Sequence, residues 1–143
     1  MAIIYSQGKD AVMIQSVNSL SGSLEDYLEA IFKTAIEKKI VRVKDITKLL
    51  NVKTSSAIKA IKILETNGFL VHEHYGYIDL TEKGLTEGKV IYAKHTTLRF
   101  FLTTILGVSD DIAEHDACLI EHCLSEETYV KILTHVEQWK EKQ

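Results

Sequence analysis

The sequence predicts a mainly α-helical fold, with a winged helix-turn-helix in the first half and a purely helical region after it. Three observations predict this. The 143 residues contain no proline and only 7 glycines, so few positions force the chain out of a helix. Apolar residues recur with a period near 3.6 in most segments from Ser23 onward. One interruption, around Tyr75-Gly76, has the pattern of a β-hairpin directly behind two short helices.

Residues 1–22 carry Gly8, Ser16, Asn18, Ser19, Ser21 and Gly22 without a sustained period, and a poorly ordered N-terminal arm is expected there. Ser23 with Asp26 marks a helix start, and Leu24, Tyr27, Leu28, Ile31, Phe32 and Ala35 give it one apolar face to about Lys38. Val43, Ile46, Leu49 and Leu50 mark a second short helix with Asp45 near its positive end. After Asn51-Val52-Lys53 a third begins near Thr54, Ser55 and Ser56, all residue types that cap, and ends at Asn67-Gly68. Phe69, Leu70 and Val71, then Tyr77, Ile78 and Leu80, form the hairpin, a wing behind a helix-turn-helix. A long helix then runs from Thr81 through Ile105 and is closed by Gly107; further helices start at Ser109, reaching about Leu124, and at Ser125. The expected organisation is therefore an arm (1–22), a winged helix-turn-helix domain (23–84) and a helical domain (85–143).

With 45% hydrophobic and 26% charged residues the chain is neither disordered nor fibrous. It has no apolar run of the roughly 18 residues a membrane span needs, and its start does not resemble a secretion signal, so a cytoplasmic protein without a membrane partner is expected. Cys118 and Cys123 lie five apart in one helical segment, where they point in different directions, and are read as thiols, with Cys123 a buried neighbour. No glycine-rich phosphate loop is present, so no nucleotide cofactor is expected.

The net charge of -3 hides two opposed regions. Between Lys38 and Lys62 eight basic residues face one acid, a local balance of +7, whereas from Gly107 to Gln143 nine acids face three lysines, a balance of -6. A solvated lysine face is the ordinary account of a basic run. Beside a helix-turn-helix and a wing, however, it suits double-stranded DNA, where phosphates need exposed positive charge next to a helix that enters the major groove. Arg42, Lys44, Lys53, Thr54, Ser55, Ser56, Lys59 and Lys62 are the candidate DNA-binding residues, the lysines mainly for phosphate and the hydroxyls for phosphate, bases or simple capping.

Cys118, Glu121 and His122 stand at i, i+3 and i+4, one narrow stripe of a helix. Asp26 and Glu29 are spaced i, i+3 on the first helix, and His95 lies midway along the long one. Taken singly, each has an ordinary role: a buried thiol, a satisfied histidine, acids in a first turn. If their elements pack together, three carboxylates and a thiol repel one another, and a divalent cation stabilises the pocket.

The segment Ser23-Leu24-Glu25-Asp26-Tyr27-Leu28-Glu29-Ala30-Ile31, the helix-turn-helix from Val43 to Leu64, the wing ending Ile78-Asp79-Leu80-Thr81-Glu82-Lys83-Gly84, and Asp116-Ala117-Cys118-Leu119-Ile120-Glu121-His122-Cys123-Leu124-Ser125 together resemble the diphtheria-toxin-repressor family of iron- and manganese-dependent transcription regulators. The resemblance covers nearly everything from Ser23 to Gln143. It implies a winged helix-turn-helix joined to a helical metal-binding and dimerisation domain, of the short two-domain type, and a homodimer that binds palindromic operator DNA when metal is present. Glu121, His122 and His95 fall on ligand positions of the family. Cys118 matches iron-responsive members, while Asp26 and Glu29 match manganese-responsive ones, so the chain is a hybrid. At the ancillary site it departs from the pattern: Arg99 stands for a glutamate, and Glu114, with His115 one step off, stands four residues before Cys118.

Carboxylates and imidazole suit Mn²⁺ and Fe²⁺, and a thiolate shifts preference toward Fe²⁺, Zn²⁺, Co²⁺ or Ni²⁺. Fe²⁺ or Mn²⁺ is the expected metal, with Zn²⁺, Co²⁺ or Ni²⁺ able to occupy the site in vitro. The expected function is metal-dependent repression of metal homeostasis genes; the alternative is a metal-independent winged-helix regulator in which the acids and Cys118 are structural. An enzyme using Cys118 as nucleophile and His122 as base is not expected, because no third orienting group or oxyanion loop accompanies them. The apolar stripes Phe100, Phe101, Ile105 and Ile132, Val136, Trp139 exceed the needs of a small lobe and supply the dimer surface in this reading.

Overall fold

The computed structural model describes residues 2–7, 10–15, 20–73 and 76–143. The chain divides into two compact units, Met1–Tyr92 and Ala93–Gln143.

In the first unit, β1 (Ala2–Gln7) and β2 (Asp10–Gln15) pair antiparallel, from Ala2 opposite Gln15 to Gln7 opposite Asp10. The sequence showed no period in this segment, and an irregular arm was expected over 1–22. The described strands differ from that because Ile3, Ile4, Tyr5, Val12 and Ile14 favour extended backbone, and apolar residues in both alternating sets conceal a period of two. The remaining residues of the arm before Leu20 lie outside the described residues.

α1 (Gly22–Glu37) begins two residues earlier than the sequence suggested. Its cap is Ser21, whose hydroxyl accepts from the Leu24 amide at 3.3 Å, so Ser23 already lies inside the helix. α2 spans Val43–Leu50, α3 spans Thr54–Thr66, and Asn51 between them takes the left-handed conformation (φ 52°) that turns the chain. Asp45 accepts from the Arg42 amide at 3.0 Å and satisfies an orphan donor at the start of α2. At α3 the expected capping by Thr54, Ser55 or Ser56 is absent: Lys53 occupies the cap position without a side-chain bond, and the three hydroxyl residues sit exposed in the first turn.

The wing contains β4 (Leu70–His72) and β5 (Tyr77–Leu80), as the sequence indicated, together with a strand it did not reveal. β3 (Val41–Arg42) pairs with β5, giving the order β3-β5-β4. Two residues are too short for a period, and only long-range pairing with Tyr77 and Ile78 makes them a strand. Gly76 has a φ of 87°, as the expected turn requires, while Tyr75 lies outside the described residues. Leu28, Ile31, Ile46, Ile61, Leu64, Phe69 and Leu70 close the core of this unit at no more than 1% exposure. Each such side chain contributes roughly 1.5–3 kcal/mol.

α4 spans Glu82–Phe100 and passes into a π-helical turn, Phe101–Ile105, before Gly107 (φ 73°) ends it. The second unit takes the end of α4, this turn, α5 (Asp110–Ile120) and α6 (Glu126–Glu141), the last capped by the Ser125 hydroxyl. Leu98, Ala113, Ala117, Tyr129 and Val136 form its interior. Phe100 meets Trp139 edge-on at 5.7 Å, and Val136 is buried, so part of the stripe expected to lie outside is used within the unit. α5 stops at Ile120, four residues short of the expected end. Cys123 follows in an exposed turn and is not the buried neighbour that helical continuation suggested.

Two predictions follow from the first unit. A Cβ on Gly84 would overlap the backbone carbonyl of Phe69, whose oxygen also accepts from the Thr81 amide at 3.1 Å. Gly84→Ala should therefore cost about 1–3 kcal/mol, seen as a lower thermal midpoint; an unchanged midpoint would refute the close approach. The Lys38 ammonium bonding Asp45 at 2.9 Å holds that carboxyl below its ordinary range, aided by the Arg42 amide. A depressed carboxyl contributes stability above its unfolded value and loses it as pH falls through the folded one. Thermal melts from pH 7 to pH 3 should thus show a smaller loss for Asp45→Asn than for the native chain.

Candidate functional site

Every candidate DNA-binding residue is exposed. Lys53, Thr54, Ser55, Ser56, Lys59 and Lys62 belong to the start and outer face of α3, Lys44 to the first turn of α2, and Arg42 to β3. The buried residues Ala57, Ala60, Ile61 and Leu64 fix which side of α3 faces inward and so leave these side chains outside. Arg42 lies over the Tyr77 ring at 5.2 Å, which places a wing aromatic beside the basic face; Tyr77 was not among the sequence candidates. Asp45, the one acid of the basic segment, is engaged by Lys38 and does not interrupt the face formed by α3.

The metal candidates fall in both units. Asp26 and Glu29 lie one turn apart on α1 in the first unit. His95 of α4 and Cys118 of α5, with Glu121 and His122 just past the end of α5, belong to the second. Although α5 ends at Ile120, Glu121 retains helical backbone angles (φ -56°, ψ -30°), and its amide donates to the Ala117 carbonyl at 3.0 Å. The i, i+3 relation of Cys118 to Glu121 therefore survives, while His122 enters the turn.

Within the second unit these side chains converge. His95 is buried, and its Nδ1 lies 2.8 Å from Oε2 of Glu121 and 3.8 Å from Sγ of Cys118. Glu121 is 2% exposed. Its Oε1 makes no hydrogen bond among the described residues, and Nε2 of His122 stands 3.4 Å away. A buried carboxylate oxygen without a hydrogen bond is costly unless a cation compensates it. Nitrogen, thiol and carboxylate donors around that oxygen fit a divalent transition metal.

Two residues that the sequence marked as departures from the family pattern join this cluster. Oε1 of Glu114 lies 3.1 Å from Nε2 of His95, and its Oε2 lies 3.0 Å from Nε of Arg99. Arg99 also donates to Asp110 at 3.2 Å. The spacing carried this signal: Glu114, Cys118 and Glu121 stand at i, i+4 and i+7, and His95 and Arg99 at i, i+4. His115 points elsewhere, pairing with Asp116 at 3.3 Å, and is exposed.

Comparison with known proteins adds the following. Residues 19–78 match the iron dependent repressor N-terminal DNA binding domain, and residues 81–143 match the iron dependent repressor metal binding and dimerisation domain. The chain is 38% identical over 124 residues to an uncharacterised HTH-type transcriptional regulator of Methanocaldococcus jannaschii, a match covering 86% of this chain and 99% of the relative. It is 37% identical to the transcriptional regulator MntR of Shouchella clausii, covering 85% and 84% respectively. Among solved structures it is similar to T. acidophilum IdeR (TM-score 0.70, 28% identity, 85% of this chain and 55% of that one). It is also similar to a manganese-dependent transcriptional repressor in complex with manganese (TM-score 0.70, 27% identity, 80% and 52%). The chain thus spans about half the length of these solved relatives. Among the described residues no helix is long and apolar enough to cross a membrane. With a mainly helical fold, a winged helix-turn-helix and both domain matches, the chain belongs to the iron-dependent repressor family of metal-dependent transcriptional regulators.

Proposed function

We propose that this protein is a repressor that binds operator DNA as a homodimer when Fe²⁺ or Mn²⁺ is bound, controlling genes of metal homeostasis. The observation that carries the metal part is the buried Glu121 carboxylate, with His95, His122 and Cys118 around it. These four are the proposed ligands, joined by Asp26 and Glu29 of α1, whose inclusion rests on the sequence resemblance. When bound, the metal supplies positive charge that offsets the carboxylates.

The chain's own residues connect this centre to DNA. α1 packs against α2, α3 and the wing. A ligand drawn from α1 therefore ties the order of that helix to the placement of α3, the proposed recognition helix. Coupling of this kind is reciprocal, so operator DNA tightens metal binding by the factor that metal tightens DNA binding, typically about 5–150-fold. Lys53, Lys59, Lys62, Lys44 and Arg42 are proposed to hold phosphates, with Thr54, Ser55 and Ser56 at the helix start for bases or phosphates. Exposure of all three hydroxyl residues, none of them the cap of α3, supports this assignment.

The test is duplex DNA selected from a random pool in the presence of Mn²⁺, then assayed with and without Mn²⁺, Fe²⁺, Co²⁺ or Zn²⁺. Glu121→Gln and His122→Ala should lose the metal stimulation and keep weak, salt-sensitive binding. Full stimulation in both variants would refute the site, and metal-indifferent binding by the native chain would favour a metal-independent winged-helix regulator. In the same assay Lys59→Ala should weaken binding to all sequences and reduce the slope of log affinity against log salt by about 1 per protomer bound. A slope equal to the native one would remove Lys59 from the phosphate contacts.

A further inference from the structure

We propose that Glu114 is a positioning residue for the metal centre: it accepts from Nε2 of His95 and thereby presents Nδ1, the nitrogen facing Cys118 and Glu121, as the ligand atom. The inference rests on the metal-site reading above. Its ground is that the two ring nitrogens face different surroundings. Nδ1 has Glu121 at 2.8 Å and Cys118 at 3.8 Å, whereas Nε2 has Glu114 at 3.1 Å. Both nitrogens face a carboxylate, which only accepts, so a hydrogen on Nδ1 is held by Glu121 and one on Nε2 by Glu114. Glu121 is itself a proposed ligand, so a metal held there displaces the hydrogen of Nδ1, while Nε2 keeps its hydrogen on Glu114 outside the centre. A histidine ligand whose other nitrogen donates to a carboxylate is fixed in both tautomer and ring orientation.

Arg99 explains why Glu114 orients His95 and does not itself ligate. A ligand atom from each of His95, Glu114 and Cys118 lies within 4.8 Å of the others, so ligation by Glu114 is the rival assignment. However, both Glu114 oxygens are engaged, one by His95 and one by the Arg99 guanidinium at 3.0 Å. That resident cation disfavours a second, divalent one on the same carboxylate. The side chain of Glu114 is also 48% exposed, against 1% for Glu121, so its charge has solvent and Arg99 and does not depend on a metal.

Loss of an outer carboxylate partner typically lowers metal affinity about 10–100-fold. Half-exposure places Glu114 at the lower end, because water takes over part of its role. Arg99, 46% exposed, contributes less, as exposed ion pairs do.

The test uses the full chain and Zn²⁺ as a diamagnetic probe. Long-range ¹⁵N–¹H spectra of the Zn²⁺-loaded native protein should show His95 bound through Nδ1 and protonated on Nε2. By chelator competition, Glu114→Ala should bind as many Zn²⁺ as the native chain with about tenfold lower affinity. Glu114→Gln, which keeps an acceptor oxygen, should recover to within about threefold, and Arg99→Ala should fall about twofold. Metal on Nε2, loss of a Zn²⁺ equivalent in Glu114→Ala, or equal losses in Ala and Gln variants would overturn the proposal in favour of direct ligation. Unchanged affinity in Glu114→Ala would overturn any role. A native chain that binds no Zn²⁺, Mn²⁺ or Fe²⁺ would instead sink the metal-site reading itself.

Discussion

The Glu121 carboxylate is the most demanding group in the second unit. It is held at 2% exposure between the end of α5 and the buried ring of His95, and only one of its oxygens has a hydrogen bond among the described residues. Removing a carboxylate from water costs several kcal/mol, and losing one partner of a buried pair costs roughly 3–5 kcal/mol. The neighbourhood is organised around that cost. α5 ends with Glu121 still in helical geometry, His122 turns in toward it, and Ala113 and Ala117 pack at 0% exposure on the same helix. His95 is in turn held from its other side by Glu114, and Glu114 by Arg99. The result is a chain of polar contacts, Arg99 to Glu114 to His95, from the surface to a buried carboxylate.

The first unit solves a different electrostatic problem. Its helix-turn-helix concentrates eight basic residues over Lys38 to Lys62, a self-repelling arrangement. The single acid of that segment, Asp45, is spent on the flank, bonding Lys38 and the start of α2, and the lysines of α3 are exposed on its outer side. Apolar packing of Ala57, Ala60, Ile61 and Leu64 holds them there. A face of this kind is a poor contribution to stability and a good one to phosphate binding, which is the trade expected of a DNA-binding domain.

The proposed donor set combines features that the resemblance assigns to two kinds of family member. Cys118 stands where the resemblance places the thiolate of iron-responsive members, and Asp26 and Glu29 stand where it places the acids of manganese-responsive ones. A thiolate beside carboxylates broadens the range of metals that bind and leaves selectivity to geometry and to outer partners. The Arg99–Glu114–His95 network acts at that level.

Periodicity, composition and residue spacing determined α1, α2, α3, the wing and the long helices, because one-sided burial imposes a 3.6-residue repeat that is visible in any single chain. They also identified the ligand-capable residues and the basic face, since those depend on residue type and spacing alone. Contacts between residues distant in sequence were decided only by the tertiary structure. Two-residue β3 exists because Val41 and Arg42 pair with Ile78 and Tyr77. Ser21, and not Ser23, caps α1, because which of several hydroxyls reaches an amide depends on where the backbone leaves the helix. α5 stops at Ile120 and exposes Cys123, although the local pattern would carry the helix further. Glu114, set apart in the sequence as a departure like Arg99, meets both Arg99 and His95 because α4 and α5 bring together side chains distant in sequence, 19 residues apart for Glu114 and His95, a proximity no local repeat encodes.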